Sequence, residues 1–346
     1  MVSGHLGNVT KAPEYETIAL HSAQEPDPIN ASRALLLYQT CSYNFTDAAD
    51  GTSKFAWSKK EKDTFFEQRM AMLEGGAGAV ATASEYSAQF MAITSICKPG
   101  HNFVSTMNLY GRTFNQFRVY FKVNIPCKFV EGSDPQNIKN AIDDKTRAVY
   151  VETIGNPQFN VPNLKAISEV CHHAGIRLIV DNTFGMGGYL CKPIEIGADI
   201  ITSSVTKWIG GHGTSMGAVD EPADGDHGMR FWETYGYEPL SARVRMDAMR
   251  DLGPCISPFN AWLFVNYPGL ESHSDYELAQ RVLPKGWGGV LTFCIAGNIK
   301  EVAAVVDSLK LCSHLANVGH AKTLIIPDEE KIKGGITPYL IRVSLA

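Results

Sequence analysis

The apolar positions change their spacing repeatedly along the chain. In "KDTFFEQRMAMLEGG", Phe66, Met70 and Leu73 recur at i, i+4 and i+7, and Gly75-Gly76 follows. That spacing predicts an amphipathic helix with a glycine stop. The next stretch, "AGAVATAS", is a run of small residues and reads as a short buried strand. "EYSAQFMAITSIC" returns to a helical pattern and "HNFVSTM" to a strand. The alternation continues with "YGRTFNQFRVYF" as helix, "IPCKFVE" as strand, "DPQNIKNAID" as helix and "TRAVYVETI" as strand. "NLKAISEVCHHAG" then reads as helix, and "IRLIVDNT" and "ADIITSS" as strands. Strands that alternate with helices across short loops predict an α/β domain with a mostly parallel central sheet covered on both faces.

The flanks read differently. Residues 1–58 are polar and turn-rich, with "EPDPINAS" as a clear loop, and predict an N-terminal arm with little core of its own. Residues 59–255 form the large α/β domain. From 256 the pattern shifts, and "GGVLTFCIAG", "EVAAVVDSLKL" and "YLIRVSLA" suggest a smaller C-terminal α+β domain through residue 346. A chain of 346 residues fits such a large domain with a smaller companion.

Composition narrows the function classes. Apolar residues make up 45% and charged residues 19%, as in an ordinary globular protein. The formal net charge is −5 and no basic block tracks a phosphate backbone, which argues against nucleic acid as a partner. No apolar run reaches membrane-span length, and the N-terminus lacks the basic and apolar regions of a signal peptide. The eight cysteines are scattered without a CxxC pair, which suggests reduced thiols in a cytoplasmic protein.

In parallel sheets, ligands gather at the carboxyl ends of the strands. Here those ends carry Ser84, then Asn156, then Asp181 with Thr183, then Ser204 with Thr206 and Lys207. An acid at the end of the buried run "IRLIVD" needs a partner, because isolated charge burial is prohibitive. A protonated pyridine nitrogen is such a partner, and the acid would keep that ring an electron sink. A lysine about two dozen residues later offers an amine for a Schiff base with an aldehyde on the same ring. Hydroxyls flanking it suit a phosphate. Taken singly, each residue has a plainer explanation: Asp181 a turn, Lys207 a surface charge, the hydroxyls helix caps. The ordered set on successive strand ends is far more specific.

The motifs "YVETIGNPQFNVPNL", "LIVDNTFGMGGYL" and "SSVTKWIGGHGT" resemble the pyridoxal phosphate enzymes of cysteine and methionine metabolism, the cystathionine γ-synthase family. With "DLGPCISPFNAWL" and "SLKLCSHLANVGHAKTL", the resemblance is nearest to the O-acetylhomoserine sulfhydrylase branch, and it runs from about Tyr38 to the C-terminus. It implies the aspartate aminotransferase-like architecture (fold type I) and pyridoxal 5'-phosphate as cofactor. It also implies that Lys207 bonds the cofactor and moves protons, that Asp181 pairs with the ring nitrogen, and that Tyr110 stacks on the ring. Ser204 and Thr206 would hold the phosphate, with Ser84, Glu85 and Tyr86 at the helix start beside it. Thr183 would touch the ring face. Asn156 would lie near the cofactor hydroxyl and the substrate carboxylate, which Arg342 would grip through its planar fork.

The activity so implied is elimination of a γ-leaving group from an O-acylated homoserine, followed by addition of sulfide, a thiol or another nucleophile, carbon included. A cystathionine γ-synthase or γ-lyase activity, and a catalytically inactive scaffold, are the alternatives. The implied assembly is a homo-oligomer, a dimer of dimers. His212 with its neighbouring glycines reads as a tight loop, and His172-His173 as a solvated helix end.

The chain also departs from the family. A Tyr-x-Arg and Asn-Pro-Thr segment that reaches a neighbouring subunit's phosphate is absent between "SKFAWSK" and "KEKDTFFEQRM". Further segments are absent near Ala218–Glu221, between Leu263 and Phe264, and between Pro327 and Asp328. Two readings stay open: a numbering that joins ordered stretches of a longer chain, and a degenerate paralogue. Glu85 stands where the family has glycine, and Tyr86 where it has glutamine or methionine. Glu85 is expected to place a negative charge beside the phosphate unless its side chain turns away.

Overall fold

The computed structural model describes residues 14–22, 47, 65–131, 134–211, 218–222, 244, 249, 252–256, 290–294, 304, 306–308, 313–314, 324–327 and 340–344. Three of its strands are buried along nearly their whole length: β4 (Thr146–Glu152), β5 (Arg177–Asp181) and β6 (Ile200–Ser204). Such strands are covered on both faces. These strands lie side by side and parallel, with Glu152 paired to Asp181 and Asp181 to Thr202 at their carboxyl ends. β2 (Asn102–Thr106) extends the parallel set beyond β4, and β3 (Cys127–Val130) lies outermost.

The other edge was not foreseen. β7 (Ala218–Pro222) inserts antiparallel between β6 and β1 (Val80–Thr82), which gives a seven-stranded sheet in the order β1-β7-β6-β5-β4-β2-β3. "AVDEP" carries two acids and a proline, so no apolar run marked it as a strand. A second, four-stranded sheet is built from β8 (Val290–Cys294), β9 (Ser313–His314), β10 (Leu324–Pro327) and β11 (Leu340–Ser344), in the order β8-β11-β10-β9.

Side chains alternate across a strand with a period of two. Val149, Val151, Leu178 and Val180 therefore face one core, with Leu164, Ile167 and Cys171 of a covering helix (Leu164–His173). Ala148, Tyr150, Ile179 and Ile200 face the other, with Met91, Ala92 and Ile93 of the helix Glu85–Ile96. We name the helices in chain order: α1 (Tyr15–His21), α2 (Phe65–Glu74), α3 (Glu85–Ile96), α4 (Gly111–Val119), α5 (Pro135–Ala141), α6 (Leu164–His173) and α7 (Pro193–Ile196). The same period of two puts Asp181 on the face of Ile179, which α3 covers.

The N-terminal stretch is more than a polar arm. It contains α1, whose Tyr15 is buried with Met70, Ala71 and Leu73 of α2. The Tyr15 hydroxyl reaches the carbonyls of Met186 and Gly187 at 3.1 and 3.0 Å, and its ring meets Tyr189 edge-on. At Gly188 the chain runs in the left-handed region (φ +78°), and a Cβ there would collide with the Leu73 carbonyl. That close approach seats the end of α2 against the loop after β5.

Candidate active site

The acids and hydroxyls at the carboxyl ends of β4, β5 and β6 converge with the amino end of α3. Asp181 is buried, and both of its oxygens are held: Oδ1 accepts from the Thr183 N–H at 2.9 Å, and Oδ2 from the Tyr150 hydroxyl at 3.2 Å. Tyr150 in turn accepts from Gln89 Nε2 at 2.9 Å and lies 3.3 Å from the Thr202 hydroxyl. Burial, then the charges of Asp181 and Glu85, push the Tyr150 phenol well above its usual range, so it stays a donor.

Thr183 stands between strands. Its Oγ1 accepts from the Ser204 N–H at 2.9 Å and donates to Glu85 Oε1 at 3.2 Å. Thr206 and Lys207 follow β6 in a turn closed by the Lys207 N–H on the Ser204 carbonyl at 3.2 Å, and both side chains are half-buried. Ser84 caps α3, accepting from the Ser87 N–H at 3.3 Å. Tyr110 is the N-cap residue of α4. Asn156 precedes a cis peptide bond to Pro157 and is buried.

The Glu85 side chain turns back along α3. Its Oε1 accepts from Gln89 Nε2 four residues on, at 3.4 Å, so the side chain runs along the helix rather than out past its end. Burial first, and then the neighbouring Asp181 carboxyl, raise its pKa well above the ordinary value, with Lys207 acting the other way. Glu85 also lies within hydrogen-bonding reach of Asp181. Tyr86 hydrogen-bonds Tyr110, and burial followed by that contact raises its phenol. The Glu85 and Tyr86 substitutions thus alter the side chains under and beside Asp181 and Tyr110.

The structure brings together Glu85, Asp181, Thr183 and Ser204 by direct contacts, with Ser84 one residue before Glu85 at the start of α3, and Lys207 by its field at Glu85. Tyr110 and Asn156 join through one carboxylate, Glu152, which the sequence reading passed over. Arg342 lies in β11, paired with Ile326 and Thr292, and its side chain is outside the described residues. His212 and the loop after Gly211 also lie outside them. His172 is not simply solvated at its helix end, because its Nε2 meets Asp199 Oδ2 at 3.1 Å.

Besides Glu152, sequence reasoning missed Tyr150, Gln89 and the pair Glu74–Asn182. Glu74 is fully buried and both of its oxygens accept from Asn182 Nδ2, at 3.0 and 2.9 Å. Asn182 Oδ1 accepts from the Thr153 hydroxyl at 2.6 Å, so the residue next to Asp181 is tied to both α2 and β4. Glu152 carried the same signal as Asp181, an acid closing a buried apolar strand. The other polar core residues, one by one, look like ordinary core or cap positions.

The family model described as Cys/Met metabolism PLP-dependent enzyme matches residues 16–266 and 263–346. The chain is 42% identical over 407 positions to a homocysteine synthase of Schizosaccharomyces pombe, covering 97% of this chain and 95% of that one. It is 37% identical to an O-acetyl-L-homoserine sulfhydrylase of Thermus thermophilus, covering 96% of each. A crystal structure from Campylobacter jejuni, assigned as an O-acetylhomoserine (thiol)-lyase with a pyridoxyl-lysine monophosphate, superposes with a TM-score of 0.87 at 25% identity. It covers 97% of this chain and 96% of that one.

The chain belongs to the Cys/Met metabolism family of pyridoxal phosphate-dependent enzymes. The alignment of 407 positions exceeds the 346 residues here, so internal segments of that relative have no counterpart in this chain. The two stretches of the family match overlap at residues 263–266. The donor set fits the cofactor. A rigidly held carboxylate suits a ring nitrogen, an amine on the next strand end suits an aldehyde, and hydroxyls with the first N–H groups of α3 suit a phosphate.

Proposed function

We propose that the protein catalyses pyridoxal phosphate-dependent γ-replacement on O-acetylhomoserine, with sulfide as the entering nucleophile. The observation that carries this is the seating of Asp181 and Lys207 at the carboxyl ends of neighbouring parallel strands, with Glu85 in contact with the first and in the field of the second. The names borne by the relatives, homocysteine synthase and O-acetyl-L-homoserine sulfhydrylase, support the substrate. Bound pyridoxal phosphate supplies the electron sink for loss of the α- and β-protons and of acetate.

The chain's residues do the rest. Asp181, locked by the Thr183 N–H and the Tyr150 hydroxyl, holds a proton on the ring nitrogen. The Lys207 amine holds the cofactor between turnovers and carries protons between substrate carbons. Ser204, Thr206 and Ser84, with the backbone N–H groups of Glu85 and Tyr86 at the amino end of α3, would anchor the phosphate side. Tyr110 would stack on the ring, Thr183 would touch the ring face or its substituents, and Asn156 with Arg342 would orient the substrate carboxylate.

We further propose a cytoplasmic homo-oligomer divided into the arm 1–58, the large domain 59–255 and the C-terminal domain 256–346. The two separate sheets support that division. Cys97, Cys127, Cys171, Cys191 and Cys255 form no disulfide, and no helix among the described residues is long and apolar enough to cross a membrane.

Product analysis tests the reaction. The loaded protein given O-acetylhomoserine and sulfide is expected to release acetate and homocysteine in equal amounts. Homocysteine formation absent under these conditions, with 2-oxobutyrate and ammonia formed instead, would assign a γ-lyase. No turnover at all would favour the scaffold.

A further inference from the structure

Glu152 ends β4 and is 5% exposed. Its two oxygens accept from two backbone N–H groups of separate segments: Oε1 from Tyr110 at 2.6 Å, and Oε2 from Asn156 at 3.0 Å. Tyr110 lies 42 residues before it and Asn156 four residues after. Tyr110 opens α4 without a side-chain cap of its own, so the bond from Glu152 fixes where that helix begins. On the neighbouring strand, Glu152 is registered against Asp181, and the Thr153 N–H donates to the Asp181 carbonyl at 2.9 Å. One rung of the β4–β5 ladder therefore locates three site residues at once.

We propose that Glu152 is a positioning residue for this active site. Its carboxylate sets the distance of the Tyr110 ring and the Asn156 amide from Asp181 without touching the reacting atoms. The chemistry suits a carboxylate alone among side chains of this size. Two N–H donors converge on it, and an amide would answer one with an acceptor and the other with a second donor. Bonds of this charge-assisted kind are short and geometrically demanding, as the 2.6 Å separation shows. A shift of about 1 Å in a positioned group costs on the order of 10²-fold in rate.

The inference rests on the proposed reaction for its kinetic arm, and has a second arm that does not. Glu152→Gln, loaded with cofactor, is expected to lower kcat by about 10²-fold with a smaller change in KM, and to change the visible circular dichroism of the bound cofactor, because the Tyr110 ring moves over it. Glu152→Asp keeps the charge on a shorter stem and is expected to fall between Gln and wild type. In the protein without cofactor, amide hydrogen exchange at Tyr110 and Asn156 is expected to speed up at least 10-fold in both variants.

A Glu152→Gln enzyme with wild-type kcat and wild-type dichroism overturns the proposal, as does unchanged exchange at both amides. Should Glu152→Gln fail to fold, the same readouts on Glu152→Asp decide. A wild-type protein that stays colourless with pyridoxal phosphate refutes the proposed function instead, and the exchange arm then judges Glu152 alone.

Discussion

Asp199 enters β6 from its amino end, and Asp181 leaves β5 at its carboxyl end. Both are almost wholly buried. At the amino ends the acids meet cations. Asp199 accepts from the Leu178 N–H at 2.7 Å, with His172 at 3.1 Å and Arg177 at 3.7 Å. Asp143, just before β4, meets Lys128 Nζ at 2.6 Å and Asn102 at 2.9 Å. Those bonds hold its carboxyl well below the usual range. At the carboxyl ends the acids meet each other. Glu85 lies against Asp181, Glu152 adds to their field, and Lys207 is the cation that bears on Glu85. One end of the sheet sets its acids beside basic side chains. The other gathers carboxylates around Asp181 with Lys207 in their field, an arrangement that suits a ligand carrying both a cationic ring nitrogen and an aldehyde.

The contrast predicts opposite consequences for the same substitution at the two ends. Asp181→Asn is expected to lower turnover by about 10²–10³-fold, since a fixed charge aimed at the ring nitrogen is removed. Its thermal unfolding should change little. Asp199→Asn should do the reverse, costing about 1–3 kcal/mol of stability as a buried charged partner is lost, with turnover per folded molecule unchanged. Steady-state kinetics and chemical denaturation on both variants check this. Equal effects on stability would erase the distinction between the ends.

Glu74 sharpens the comparison through pH. Burial, opposed by the Asn182 hydrogen bond, raises its pKa to about 8. The folded protein then binds more protons than the unfolded chain between the ordinary glutamate pKa and about 8, so this group's contribution to stability falls as pH rises through that window. Glu74→Gln removes the slope. Its stability relative to wild type is expected to climb up to about pH 8 and then level off, as measured by denaturation at several pH values.

The smallest effect is expected at Glu85. Because its side chain runs along α3 rather than past the helix end, Glu85→Gln should bind cofactor within about 3-fold of wild type at pH 7, a difference under roughly 1 kcal/mol. A 10-fold or greater gain in affinity would show instead that Glu85 carries a charge beside the phosphate, and the crowding of acids at this end would need another explanation.

Much of this was legible in the chain. The apolar runs of β4, β5 and β6 and the periodicity of α2, α3 and α6 follow from hydrophobic spacing, and the polar residues at the strand ends follow from where those runs stop. β7 was not legible, because a strand with acids and a proline is identified only by the two strands that enclose it. Nor was the role of Tyr15, whose hydroxyl contacts lie more than 170 residues away in sequence. The direction taken by Glu85 also depends on tertiary packing. Its partners Thr183 and Asp181 belong to another strand end, and no local pattern shows which way a helix's first side chain turns. Glu152 could have been found by the rule that found Asp181, since each is an acid closing a buried strand.

The most direct test of the account is reduction of the cofactor-loaded protein with borohydride, followed by proteolysis and mass spectrometry. The account predicts a single pyridoxyl phosphate adduct on the peptide that carries Lys207, lost in Lys207→Ala. An adduct on a different lysine, or none on a protein that has taken up cofactor, would contradict it.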